Sequence, residues 1–355
     1  MALKSLTTTQ RLAAGCGCVT FLVVTLLVGG YVFMTAWQRD RARHELGAAP
    51  EGWMDSIRTG SRLPDLTGLT LDRTDSGDAA AALRALPSRP RIELAYRAIV
   101  GLRAATAEDS ARWREVMADT ALNGVVAIAR RQDYRALDVS LASADSGARS
   151  NLLRMPVPNI GNPGIGNARD ATRALVIRAM IRLRRGDRAG AREDLSAVTA
   201  LGEQAARHEP TVLGNLIGRA QLSSAARGWE RYAERTGDSA LASRARDLLA
   251  WAARRPHSFS YRVMVAPDSA LALARDSSLA LGTRGEALSQ LVVGRALTPH
   301  GFIFGMPRRE MRALRELAAQ SSGDMATLTN IAIETAKRTR FMGFMRVLRE
   351  AGPAQ

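Results

Sequence analysis

Residues 168–207 read ARDATRALVIRAMIRLRRGDRAGAREDLSAVTALGEQAAR. Leu175, Ala179, Ala191 and Leu195 place small and apolar side chains at helical intervals on either side of Gly186-Asp187. This predicts a helix over 168–185, a tight turn, and a second helix over 188–207. So short a connection forces the two helices to run antiparallel, with their apolar stripes facing each other. A second Gly-Asp pair, Gly237-Asp238, separates the periodic stretches 211–235 and 239–254 and predicts another hairpin.

Working outward, the same residues resemble a tetratricopeptide-type helical hairpin, whose small and apolar spacings Leu175, Ala179, Gly186, Ala191 and Leu195 follow over about one repeat. Arg178 and Arg182 depart from it by standing where that family prefers apolar or aromatic residues, and Glu203 replaces its closing proline. The second Gly-Asp pair does not fall at the family's period. The resemblance implies related helix pairs stacked in a solenoid-like body, with no groove residue carried over.

Helical periodicity extends to both sides. Upstream, 92–105, 108–131 and 133–144 read as helices, with Glu93 and Arg97 one turn apart as a supporting pair. Downstream, 269–280, 284–297, 308–320 and 325–351 do the same. Breakers concentrate in 47–90, which reads as an irregular connector with one short helix at 79–86, and in the loop 155–167, MPVPNIGNPGIGN. Gly161, Gly164 and Gly166 in that loop precede a helix start near Asp170, a setting in which free amides hold anions, but no strand precedes it and no lysine is near. The fold class expected is all-α. Its parts are a tail and anchor helix (1–46), the connector (47–90), a helical layer (91–154), the hairpins (155–255) and a C-terminal helical region (256–355).

The anchor is 12–37, LAAGCGCVTFLVVTLLVGGYVFMTAW, which contains no Asp, Glu, Lys, Arg or His. As a helix it would be about 39 Å long, enough to cross a hydrocarbon core of about 30 Å with some tilt. The apolar run is too long for an ordinary signal peptide and no small-x-small site follows it, so an uncleaved anchor is expected. Gly15, Gly17, Gly29 and Gly30 mark faces for close helix packing, and Tyr31 and Trp37 are interface anchors. The rule for large domains after an N-terminal anchor puts the body in the periplasm, at the bacterial inner membrane.

Composition bounds the chemistry. Hydrophobic residues make up 46% and charged residues 24%, a globular balance, while aromatics at 5% favour packed helices over sheets. A net charge of +16 invites a nucleic-acid reading, but the chain lacks the aromatic interleaving that single-strand binding uses. Solvated ion-paired faces, an acidic protein partner or anionic lipid are the expected destinations. Cys16 and Cys18 both lie in the anchor, so the body has no disulfide framework or cysteine zinc site. Lysine occurs only at Lys4 and Lys337, which excludes a Walker A loop, a kinase lysine, an SxxK site and a pyridoxal Schiff base. His44, His208, His257 and His300 have no ligand-spaced partner. Glu193, Asp194, Glu230 and Glu234 stand among arginines, so ion pairing is their expected work. No catalytic, cofactor or metal residue is expected.

The last helix carries Phe341, Phe344, Met345 and Leu348 on one face, rimmed by Lys337, Arg338, Arg346 and Arg349. That is the profile of a helix docking on a partner or a membrane surface. The layout resembles accessory subunits of bacterial photosynthetic or respiratory assemblies, including reaction centre and light-harvesting complexes. It implies a non-catalytic membrane-anchored scaffold whose partners are the lipid bilayer and other integral membrane proteins, with no nucleic acid. The alternatives are a membrane-tethered hydrolase built around the 155–167 loop and a tetratricopeptide-like adaptor for envelope assembly.

Overall fold

A computed structural model of the 355-residue chain describes residues 57–87, 92–138, 165–254, 267–296 and 305–338. The chain divides into Met1–Trp53 and Met54–Gln355, and every described residue belongs to the second unit. That unit is mostly helical, as an all-α chain should be.

Among the described residues the elements run β1 (Asp75–Asp78), α1 (Ala79–Arg84), α2 (Ile92–Ile99), α3 (Ala107–Ala118), α4 (Ala121–Ala129), β2 (Arg131–Asp133), α5 (Ile165–Arg184), α6 (Arg188–His208), α7 (Val212–Thr236) and α8 (Ser239–Ala253). They continue with α9 (Pro267–Arg275), α10 (Leu281–Ala296), α11 (Arg308–Gln320) and α12 (Gly323–Arg338).

The two Gly-Asp pairs act as one device. Gly186 (φ 85°) and Gly237 (φ 75°) take the left-handed conformation that ends a helix, where a side chain would be strained. The aspartate that follows then caps the next helix: the Gly190 N–H donates to Asp187 at 2.9 Å, and the Leu241 N–H to Asp238 at 2.9 Å. Each pair closes one helix and opens the next.

Packing inside the hairpins explains the small residues. A Cβ on Gly218 would lie 2.3 Å from the Ala206 nitrogen, so α6 and α7 approach backbone to backbone there. Trp229 of α7 is fully buried, donates from Nε1 to the Thr199 hydroxyl at 3.0 Å, and meets Tyr232 edge-on at 5.5 Å. One apolar core runs from Leu66 through Leu122, Leu175, Leu195 and Leu222 to Trp251. The described part of the connector lies against this body, with Ile57, Leu66 and Leu69 buried.

The structure departs from the expected elements in several places: the helices expected over 92–105 and 269–280 end at Ile99 and Arg275, and α5 begins at Ile165, so that Gly166 lies inside it. The helix expected over 108–131 breaks at Asp119 and Thr120, which separate α3 from α4. Its last residue opens β2, which pairs in parallel with β1 through Asp75 opposite Arg131 and Asp78 opposite Asp133. Asp78 holds this junction by accepting from the N–H groups of Ala80 and Arg135, both at 2.9 Å. Finally, Glu93 pairs across helices with Arg173 of α5 rather than with Arg97 one turn away.

Candidate functional site

The arginines that broke the tetratricopeptide pattern are structural. Arg178 donates to both carboxylate oxygens of Asp194, at 3.0 and 2.6 Å, and Arg182 reaches the same carboxylate at 3.1 Å. Arg178 also donates to the Asn123 side chain at 2.8 Å, which ties α4 to the α5–α6 hairpin. Asp194 is fully buried, and burial pushes its carboxyl up against the opposing pull of Arg178 and Arg182. The fork geometry satisfies both partners.

A second buried group, Glu209, was not legible beforehand. It is fully buried after α6, where Arg84 of α1 donates to it at 3.1 Å and the Tyr134 hydroxyl at 2.9 Å. Burial raises Glu209, and burial together with the Glu209 charge holds Tyr134 well above its ordinary value. Neighbouring His208 is held below the usual histidine range by burial and by the charges of Arg73 and Arg207. Glu209 thus gathers Arg84 from α1 and Tyr134 from just beyond β2, and these hydrogen bonds join the N-terminal layer to the hairpins.

Two arginine-lined depressions stand out among the described residues. The first is a groove of about 440 Å³ between the ends of α2, α5 and α7. Ala98, Ile99, Met180 and Leu183 supply its apolar wall, and Arg184, Arg231 and Arg235, with Glu234 among them, its predominantly basic rim. Arg184 stacks over Trp113 at 5.5 Å, and Arg231 bonds to Glu234 at 2.9 Å, so both guanidiniums are held in place. Half-exposed Leu94 and Leu102 lie on and just beyond α2, the helix that supplies Ala98 and Ile99.

The second is a cavity of about 560 Å³ lined by Arg58, Arg62, Leu63, Pro64, Asp247, Ala250, Trp251 and Arg254. Next to it Arg219 is buried, its guanidinium 4.0 Å from the centre of the Trp251 ring. It donates to the carbonyls of Gly60 at 3.0 Å and of Trp251 and Arg254 at 2.7 Å. The latter two carbonyls end α8, so Arg219 closes the negative pole of that helix. Burial, with the nearby Arg254 charge, lowers Arg219 to about 10.

Most residues singled out in the sequence lie outside the described residues: Gly15, Gly17, Gly29, Gly30, Tyr31 and Trp37 of the anchor, and Phe341, Phe344, Met345, Arg346, Leu348 and Arg349 of the last helix. So do residues 155–164 of the glycine-rich loop and Phe302, Ile303 and Phe304. Lys337 is described, exposed and bonded to Glu334 at 2.6 Å, and Arg338 ends α12. Among the described residues no helix is long and apolar enough to cross a membrane, and no cluster of His, Cys, Asp and Glu is placed to hold a metal.

No protein-family model, no curated protein and no solved structure matches the chain.

Proposed function

We propose that the chain is a membrane-anchored helical scaffold, an accessory or assembly subunit, whose body docks an acidic amphipathic segment of a neighbouring integral membrane protein. The observation that carries the reading is the groove between α2, α5 and α7. Its apolar wall, with Ile99, Met180 and Leu183, would take the hydrophobic face of such a segment, and Arg184 and Arg235 would meet its carboxylates. The buried charges of the body support it too, because Asp194 and Glu209 are engaged in fastening helices together.

The apolar stretch 12–37 would hold the chain in the bacterial inner membrane, with the body on the periplasmic side. A photosynthetic or respiratory assembly is the host class this layout resembles. The tetratricopeptide-like adaptor is the second reading, favoured by the same arginine rim, and it differs in its occupant, a free peptide rather than a resident subunit. Tagging the chain after Gln355 and extracting native membranes in mild detergent separates the two. Integral membrane subunits in fixed stoichiometry support the scaffold, and a monodisperse protein without them contradicts it.

A further inference from the structure

The cavity beside Trp251 has no part in the docking just described, and its composition is that of a ligand site. Four guanidinium groups, those of Arg58, Arg62, Arg219 and Arg254, stand in or against it. Among the described residues the facing carboxylates are Asp247, on its wall, and Asp276, which pairs with Arg58 at 3.1 Å. Among the described residues the basic groups outnumber the acidic ones around this concave surface, which concentrates the field on whatever enters. Arg62 and Arg254 are exposed, and neither pairs with a described carboxylate.

Trp251 lines the cavity and is 6% exposed. Leu63, Pro64 and Ala250 complete an apolar side. We infer that this cavity binds a small phosphate monoester, its dianion held by Arg62 and Arg254 and its organic part laid against Leu63, Pro64 and Trp251. A monoester matches because it carries close to two negative charges at neutral pH and offers several acceptor oxygens to guanidinium forks. Arg219 is a positioning residue: its bonds to three carbonyls hold the end of α8 and the helical residues 57–61 together, so that the cavity keeps its shape.

The test uses the full chain in dodecyl maltoside micelles, titrated calorimetrically at pH 7.5 with phenyl phosphate, inorganic phosphate and phenol. Phenyl phosphate should bind saturably at one site and more tightly than inorganic phosphate, and phenol should give no binding. Arg62→Gln with Arg254→Gln, both at exposed positions, should weaken phenyl phosphate at least tenfold, and Trp251→Phe should weaken it severalfold. Binding should also weaken at pH 5, below the second phosphate pKa of about 6. Phosphatidic acid added to the micelles then identifies the source. Competition points to a lipid headgroup and its absence to a soluble ester, and either supports the site. Absence of saturable binding, or equal affinity in the doubly substituted chain, would overturn it. Since Arg184 and Arg235 are untouched, either result leaves the docking proposal to its own test.

Discussion

Asp194 sits at 0% exposure between Arg178 and Arg182, and each of its oxygens is engaged. Removing one member of such a group strands a buried charge, so Asp194→Ala should cost about 3–5 kcal/mol. Replacing Asp194 and Arg178 together by leucine and methionine should cost less, because the remaining guanidinium, that of Arg182, is partly exposed and also faces Asp187. Urea unfolding of the solubilised full chain measures both, and equal losses would contradict a buried pair. His208 gives a pH prediction at the same scale. Its folded pKa lies below the unfolded value near 6.5, so the unfolded state binds the extra proton and stability falls as pH drops below about 6.5. Glu209, whose folded pKa is raised, contributes with the opposite sign as pH falls through that raised value, so the histidine slope is isolated by substitution. His208→Gln should lose less stability than the wild type between pH 7.5 and 5.5. Parallel curves for the two proteins would refute it.

Helix ends and helix contacts were the most legible features, because their chemistry is local. Gly186-Asp187 and Gly237-Asp238 announced a stop and a start within two residues, and the bounds of α6 and α8 lie within a residue of those expected. Asp238→Ala should therefore cost about 0.5–2 kcal/mol through the lost cap. Gly218→Ala should cost more, since its Cβ would meet the backbone of Ala205 and Ala206, which cannot move aside as a side chain can. A melting temperature for Gly218→Ala no lower than that of Asp238→Ala would argue against the close α6–α7 approach. The strands were not legible. DSGD and RQD contain no β-branched or aromatic residue, and only pairing between segments more than fifty residues apart extends them. Glu209 escaped notice for the same reason: its partners, Arg84 and Tyr134, come from distant parts of the chain, and a lone glutamate before a proline carries no local sign of burial.

At the scale of the molecule, two groups of the described arginines stand apart from the ion-paired surface. One portion is internal: Arg178 and Arg84 pair with buried carboxylates, and Arg219 replaces an anion with helix carbonyls. The other rims the two depressions. Composition predicted ion-paired faces, and the described surface has many, Arg231 with Glu234 and Arg130 with Glu193 among them. Which arginines would converge was beyond the sequence, because the groove joins α2 to α5 and α7 across more than one hundred residues. Contact through such a rim is screened by salt, whereas apolar contact within the bilayer is not, so the two attachments of a scaffold respond differently to ionic strength.

The measurement that tests the account most directly is the mass of the native particle purified through a tag after Gln355, for the wild type and for Arg184→Glu with Arg235→Glu. Both side chains are exposed on the rim, so their reversal spares the core. The account predicts a multi-subunit particle for the wild type and loss of at least one stoichiometric subunit in the variant, with the variant still folded and still in the membrane fraction. Identical particle masses for the two proteins would contradict docking through this groove.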